Sequence, residues 1–250
     1  MKPHPLMRAN VSFGLVVILG LSLCAGGASA QELTLDLGDA PTLTERSVQL
    51  IVLLTVLSLV PGLAIMFTCF PFMVTVLGIL RQGIGLQQSP PNMLIVSLAL
   101  FLTYFVMEPV FTEAWTAGIA PLIEGSLSVE DGIANTVAPF RAFMITRVDP
   151  TTISVLADLR PETVGTTIAD APLSVLVPSF LLSEIERAFQ IGFLVFLPFL
   201  IIDLAVAAIL MSMGMMMVPP VIVSLPFKLA FFVVADGWSL ISGALVRSYF

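Results

Sequence analysis

Met215-Met216-Met217, preceded by Met211 and Met213, is the densest run of chemistry-bearing side chains in the sequence. Thioethers are unbranched, polarizable and adaptable, so a ring of them from several subunits would close on itself or around a passing peptide of any sequence. That gate reading stands beside two plainer ones, packing in a hairpin turn and a soft-metal site for Cu(I). The metal reading finds no histidine or second cysteine to complete it, and Gly214 with Pro219-Pro220 are the residues of a tight bend.

Carboxylates are the next candidates. Asp203 and Asp236 interrupt otherwise apolar runs, and Glu108 closes one. An ionisable group inside an apolar helix is costly, which makes Asp203 a proton carrier by default. The alternative is a buried charge satisfied by Lys228 or by backbone groups of another subunit. Glu108 beside Pro109 reads as an interfacial helix end, Glu184-Ile185-Glu186-Arg187 as a solvated charged turn, and Trp238 as a packing or interfacial anchor.

What is missing removes most enzyme chemistry. Residues 1–30 read as a secretory signal peptide, with Lys2 and Arg8, an apolar core from Val11 to Cys24, and Ala28-Ser29-Ala30 before a cleavage after Ala30. Leu23 is too large to precede a lipidated Cys24. Without that segment the chain has no histidine and only Cys69. An internal disulfide, a Cys/His zinc site, a Ser-His-Asp triad and a Cys-His pair are all excluded, and neither catalysis, metal nor cofactor is expected. Residues 1–30 hold two of the 10 basic residues and none of the 17 acidic ones, so cleavage takes the net charge from −7 to −9. No basic patch exists to neutralise phosphates, and nucleic acid is not an expected partner.

The elements that must position these residues are helical and apolar. With 58% hydrophobic against 11% charged residues in 250, the composition is that of a membrane-associated protein. Residues 31–46 form an acidic exported arm. From Arg46 to Arg81 no residue is charged, and one straight helix of that length would span about 50 Å against a hydrocarbon core of roughly 30 Å. Breaks are therefore expected at Pro61-Gly62 and Pro71. Arg81-Gln82-Gly83 and Gln87 to Asn92 connect to a second apolar helix, Met93 to Met107, completing a first apolar pair over 47–110.

Residues 111–177 are richer in charge and read as a soluble helical subdomain. Val129, Ile133, Val137, Phe140, Met144 and Val148 recur at helical spacing despite Pro139. Asp149-Pro150 is an N-cap with proline at the first helical position, opening a short helix through Leu159. Residues 178–250 form a second apolar hairpin, Ala188 to Met213 and Val218 to Leu245, joined by the methionine turn. Ser183 with Glu186 fits a capping box, although Leu173, Leu176, Val177 and Phe180 suit a helix that starts earlier. The fold expectation is all-α, with four kinked apolar segments in hairpins.

Several of these residues occur as a set. Arg81 with Gln88-Ser89-Pro90-Pro91-Asn92, Phe189-Gln190-Ile191-Gly192-Phe193, Pro198-Phe199-Leu200-Ile201-Ile202-Asp203-Leu204, Gly214 through Pro220, Leu225-Pro226-Phe227-Lys228 and Asp236-Gly237-Trp238 together resemble the FliP family of flagellar biosynthetic proteins, shared with virulence type III secretion injectisomes. The resemblance covers most of residues 48–250 and favours the flagellar system. It implies a core subunit of the protein export gate in the bacterial inner membrane and flagellar basal body. Several copies, a pentamer by the family pattern, would assemble with related small export-gate subunits and the larger export-gate proteins, and unfolded flagellar proteins would pass through. Much of the apolar surface would then meet neighbouring subunits rather than lipid, and Met215, Met216 and Met217 would form the channel constriction. Where the family pattern places Thr-Arg after the phenylalanine of the first apolar segment, this chain has Pro71-Phe72, so no role of that arginine carries over.

Two function classes remain: a non-enzymatic, channel-forming gate subunit, and a self-contained polytopic transporter using Asp203, Asp236 or Glu108 for ion coupling. No clear internal repeat of the kind transporters often carry is visible.

Overall fold

A computed structural model describes residues 43–86, 89–163, 165, 167–215 and 217–250, and the described elements are all helical. The signal peptide with its cleavage after Ala30, most of the acidic arm, Gln87-Gln88 and Met216 lie outside those residues. The chain divides into two compact units, Met1–Val52 and Leu53–Phe250. α1, Leu43–Met66, crosses from one to the other and does not break at Pro61-Gly62. The break falls at 67–69, where the Thr68 hydroxyl donates to the Ile65 carbonyl and accepts from the Phe70 amide. Pro71 then opens α2, Phe70–Ile84, from its first turn, where a missing N–H costs nothing.

α2 buries Phe72, Met73, Val76, Leu77 and Leu80 completely, a helical stripe that packs chiefly on α7 and also on α3 and α8. Phe72 is edge-on to Tyr249 with ring centroids 5.5 Å apart. Gly85 stops the helix with φ 87°, and its N–H donates to Gln82. Arg81 of this last turn donates to the side chain of Asn92, tying the end of α2 to the start of α3.

α3, Asn92–Ala114, does not stop at Glu108-Pro109. It runs through Pro109 into a π-helical turn, Trp115–Ile119, and a short α4, Ala120–Ile123. The π turn sets Gly118 against α5, Val129–Arg147, so closely that a Cβ there would lie 2.2 Å from Thr136 Oγ1. Gly132 meets Leu122 in the same way. The first half of α5 therefore packs through its small residues, Gly132, Thr136 and Pro139, and leaves Val129 and Ile133 exposed. Only the second half uses the apolar periodicity, with Met144 and Val148 in a core shared with Ile153, Ala157, Val175, Leu176 and Phe180. Asp149 caps α6, Pro150–Asp158, accepting from the Thr151 and Thr152 amides over 2.9 and 3.0 Å.

α7, Leu173–Ser212, is one helix of 40 residues with Pro178 and Pro198 inside it. Ser183 is not an N-cap: it lies in mid-helix, donates to Ser179 and accepts from the Asp149 amide at 2.9 Å. The second apolar segment of the expected hairpin is not continuous either. α8, Pro220–Val234, and α9, Gly237–Arg247, meet at a bend of 62°. Among the described residues two helical stretches, 92–123 and 173–212, are long and apolar enough to cross a membrane, and α8 with α9 makes a third only if the bent pair counts as one span. By length and composition the described residues support two or three crossings.

α2 and α7 cross at glycines. A Cβ at Gly192 would sit 2.4 Å from Ile79 Cδ1, and one at Gly83 2.9 Å from Phe199. Gly192→Val should lower stability by about 1–3 kcal/mol, the usual cost of overpacking, read from thermal unfolding in detergent. A second test is pH. Hydrogen bonds from the Thr151 hydroxyl above all, then from the Thr152 and Thr151 amides, hold the Asp149 carboxyl below its ordinary value. Its capping contribution is complete above about pH 4, the unfolded value, and is lost as pH falls through the lower folded value, because the unfolded state takes up the proton first. Asp149→Asn should flatten that acid dependence in denaturation curves measured between neutral pH and the acid limit of folding.

Candidate functional site

The methionine turn is held from both sides by backbone. At the end of α7 the Gly214 amide donates to Met211 and the Met215 amide to Leu210, each over 3.0 Å, with Gly214 at φ 74°. That pair of bonds is a Schellman closure, which needs a residue free to adopt left-handed φ. On the other side Pro219 caps α8 and Pro220 occupies its first turn. The loop between is short and fixed at its ends, yet its side chains are not packed: Met211, Met213 and Met215 are exposed and Met217 is 97% exposed. Met216 lies outside the described residues. A packed hairpin turn would bury these thioethers.

Below the turn, Asp203 of α7 faces Ser224 and Lys228 of α8. Lys228 Nζ donates to Asp203 Oδ2 over 2.6 Å and to the Gly83 carbonyl of α2 over 3.1 Å, and the Ser224 hydroxyl donates to Asp203 Oδ1 over 2.5 Å. One ammonium thus joins three helices. Lys228 is 4% exposed and Asp203 28%, so the chain covers the ammonium and leaves the carboxylate partly uncovered. Its partner on α2 is a carbonyl of that helix's last turn, where the helix dipole favours a cation.

A second charged assembly was not legible in the sequence. Glu184 is fully buried, against the expectation of a solvated turn. Its carboxylate accepts from Arg147 Nε at 3.1 Å, lies 3.7 Å from Arg187 Nη1, and accepts from the Tyr249 phenol. Burial first, and then the Glu184 charge, push the Tyr249 phenol above its ordinary pKa, so it remains a donor. Arg147 Cζ lies 4.0 Å over the Tyr249 ring. Glu186, two residues along, is exposed and accepts from Gln190, as a solvated charge should. The signal that separates the two glutamates is helical phase: Ser179, Phe180, Ser183 and Glu184 share the buried face of α7.

The remaining candidates stay apart. Glu108 is exposed in mid-helix and takes only a long 3.5 Å contact from Thr112. Asp236 is exposed at the bend with φ 47°. Trp238 packs edge-on against Phe232 with centroids 5.4 Å apart. No group of three or more His, Cys, Asp or Glu able to hold a metal ion occurs among the described residues.

A profile of the FliP family matches residues 53–245. The chain belongs to the FliP family. Flagellar biosynthetic protein FliP of Caulobacter vibrioides is 46% identical over 248 residues, covering 99% of this chain and 93% of that protein. The protein of the same name from Rhizobium meliloti is 45% identical over 93% of this chain and 97% of its own length. That of Bacillus subtilis is 42% identical over 84% and 95%. The methionine turn, both charged assemblies except Ser248 and Tyr249, and the α2–α7 crossing all fall inside the matched family region.

The unequal exposure of the clasp sets an order among variants. Asp203→Ala strands a buried ammonium, whereas Lys228→Met leaves a partly uncovered carboxylate that keeps its hydrogen bond from Ser224, so the first should cost more, about 3 kcal/mol against about 1. Asp203→Ala with Lys228→Met should recover most of the loss. Thermal unfolding of the three variants, analysed as a double-mutant cycle, measures the coupling.

Proposed function

We propose that this FliP-family chain is the core channel-forming subunit of the flagellar type III protein export gate, lodged in the bacterial inner membrane at the flagellar basal body. The observation that carries the reading is the methionine turn: a loop closed by backbone hydrogen bonds at the end of a 40-residue apolar helix, with the Met213, Met215 and Met217 side chains exposed. Several copies, five by the family pattern, bring their turns together with related small export-gate subunits around one axis. The thioethers from each copy then fill the opening when it is empty and give way to an unfolded flagellar protein when it is not. Sealing of this kind needs no catalysis and no cofactor.

The geometry of α7 supports an assembly rather than a solitary chain. At 40 residues it is about 60 Å long, twice the hydrocarbon core of roughly 30 Å, and most of its most apolar stretch is uncovered. A bilayer can cover only part of that surface, and water is a poor partner for Phe189, Phe193, Leu194, Ile201 and Leu204. Neighbouring subunits are the covering that remains. The transporter alternative would draw on Asp203, Asp236 and Glu108, which sit on three different elements; Asp203 has a structural partner in Lys228, and the other two are exposed.

Replacing Met215, Met216 and Met217 together by alanine should leave the assembly intact, with the mass of the detergent-extracted complex unchanged, while cells become leaky to small solutes. An unchanged permeability barrier in a fully assembled mutant would sink the gasket.

A further inference from the structure

α8 and α9 are held in different ways. After α9 ends at Arg247, the next two residues are bound into the Glu184 assembly: Arg147 Nη1 donates to the Ser248 carbonyl over 2.9 Å, and the Tyr249 phenol donates to Glu184. The Tyr249 ring is also stacked on Phe143, 6.1 Å between centroids, and Ile241 and Leu245 of α9 are buried in the larger core. α9 is thus latched to α5 and α7 by charge, ring contact and apolar burial at once. α8 places Phe232 in the same core and packs Phe231 and Phe232 on Phe199 of α7, and its one charged residue, Lys228, is caught by Asp203 and the Gly83 carbonyl. Val221, Ile222, Phe227, Val233 and Val234 of α8 are exposed.

Between the two helices the backbone turns by 62° through Asp236. With φ 47° and ψ 49°, Asp236 is the one non-glycine residue of positive φ among the described residues, and its side chain makes no cap bond. A left-handed non-glycine residue persists where its surroundings hold it there. Here the surroundings include Phe232, whose ring comes so close to Gly237 that a Cβ would lie 2.1 Å away.

We infer that Asp236-Gly237 is a hinge with α9 as its fixed side and α8, carrying the methionine turn, as its moving side, and that the Asp203–Lys228 pair is the catch that holds α8 in the position observed. An elongated chain pressing on the methionines loads α8 directly. When the catch yields, α8 pivots, while the latch keeps α9 on α5 and α7. The meaning of this motion rests on the gate reading above; its existence does not.

Spin labels on exposed positions test it in the full chain within the detergent-extracted assembly, the labelled chain being diluted with unlabelled chain. Pairs at Ile222 and Leu240 straddle the hinge, Ile222 and Val234 straddle Pro226 within α8, and Leu240 and Val155 span the latch. In Asp203→Asn a second Ile222–Leu240 distance population should appear while the other two pairs keep the wild-type distribution. Tyr249→Phe should instead shift Leu240–Val155. An unchanged Ile222–Leu240 distribution in Asp203→Asn overturns the hinge, as does a change confined to Ile222–Val234, which would put the bend at Pro226. Movement of Leu240–Val155 in Asp203→Asn, or its constancy in Tyr249→Phe, overturns the latch. If Asp203→Asn loses helix by circular dichroism, Ser224→Ala removes one hydrogen bond from the same carboxylate and carries the same expectations. Because distances are read independently of leakage, a failed hinge and a failed gasket give different results.

Discussion

Where α7 crosses α2, Gly192 admits Ile79 and Gly83 admits Phe199 closer than a Cβ would allow, and both hydrophobic cores hang on the helix held in this way. The larger core fills the space around α2 with side chains from α3, α7, α8 and α9, and the smaller joins α5 and α6 to the first part of α7. Close approach matters because dispersion falls off steeply with distance, so a crossing made through glycines gains contact over many atoms. The crossing also brings the end of α2 within reach of Lys228. The Gly83 residue that makes room for Phe199 supplies the carbonyl that accepts from the ammonium.

Apolar packing alone would let α7 slide or turn against its neighbours, since one greasy face is much like another. Two buried charged assemblies on α7 specify its position: Glu184 with Arg147 and Tyr249, and Asp203 with Lys228 and Ser224. Ion pairs in such places contribute little net stability against apolar residues of the same size, but a misplaced one is costly, and that asymmetry selects a single register. The first assembly fastens α5 and the residues beyond α9 to α7; the second fastens α8, which follows the methionine turn.

Local signals were legible wherever a short stretch decides its own geometry. Asp149-Pro150 reads as a helix start because the cap bonds its own neighbours, and Gly214 with Pro219-Pro220 reads as a turn because left-handed φ and a fixed φ are properties of those residues. Proline was the misleading signal. Pro61, Pro109, Pro139, Pro178, Pro198 and Pro226 all lie inside helices, whereas Pro71, Pro91, Pro150, Pro172 and the Pro219-Pro220 pair stand at helix starts. A proline costs a helix one bond and a small bend, which tertiary packing outweighs, so its effect depends on neighbours distant in sequence. The face of α5 was misjudged for a related reason, since Gly132 and Thr136 pack inward by being small and apolar periodicity does not register them.

By itself the sequence determined an all-helical chain of membrane-type composition, a methionine-rich turn closed by Gly214 and Pro219-Pro220, and a set of motifs specific enough to name a family. Composition, turn chemistry and motif identity are local properties, and each can be read without knowing what else is near. Only the tertiary structure decided that Glu184 is buried while Glu186 is not, that Lys228 joins Asp203 to the end of α2, and that Tyr249 closes on residues of α2, α5 and α7. Those outcomes depend on which helix faces come together across separations of 25 to 145 residues, a matter of packing that no local pattern contains.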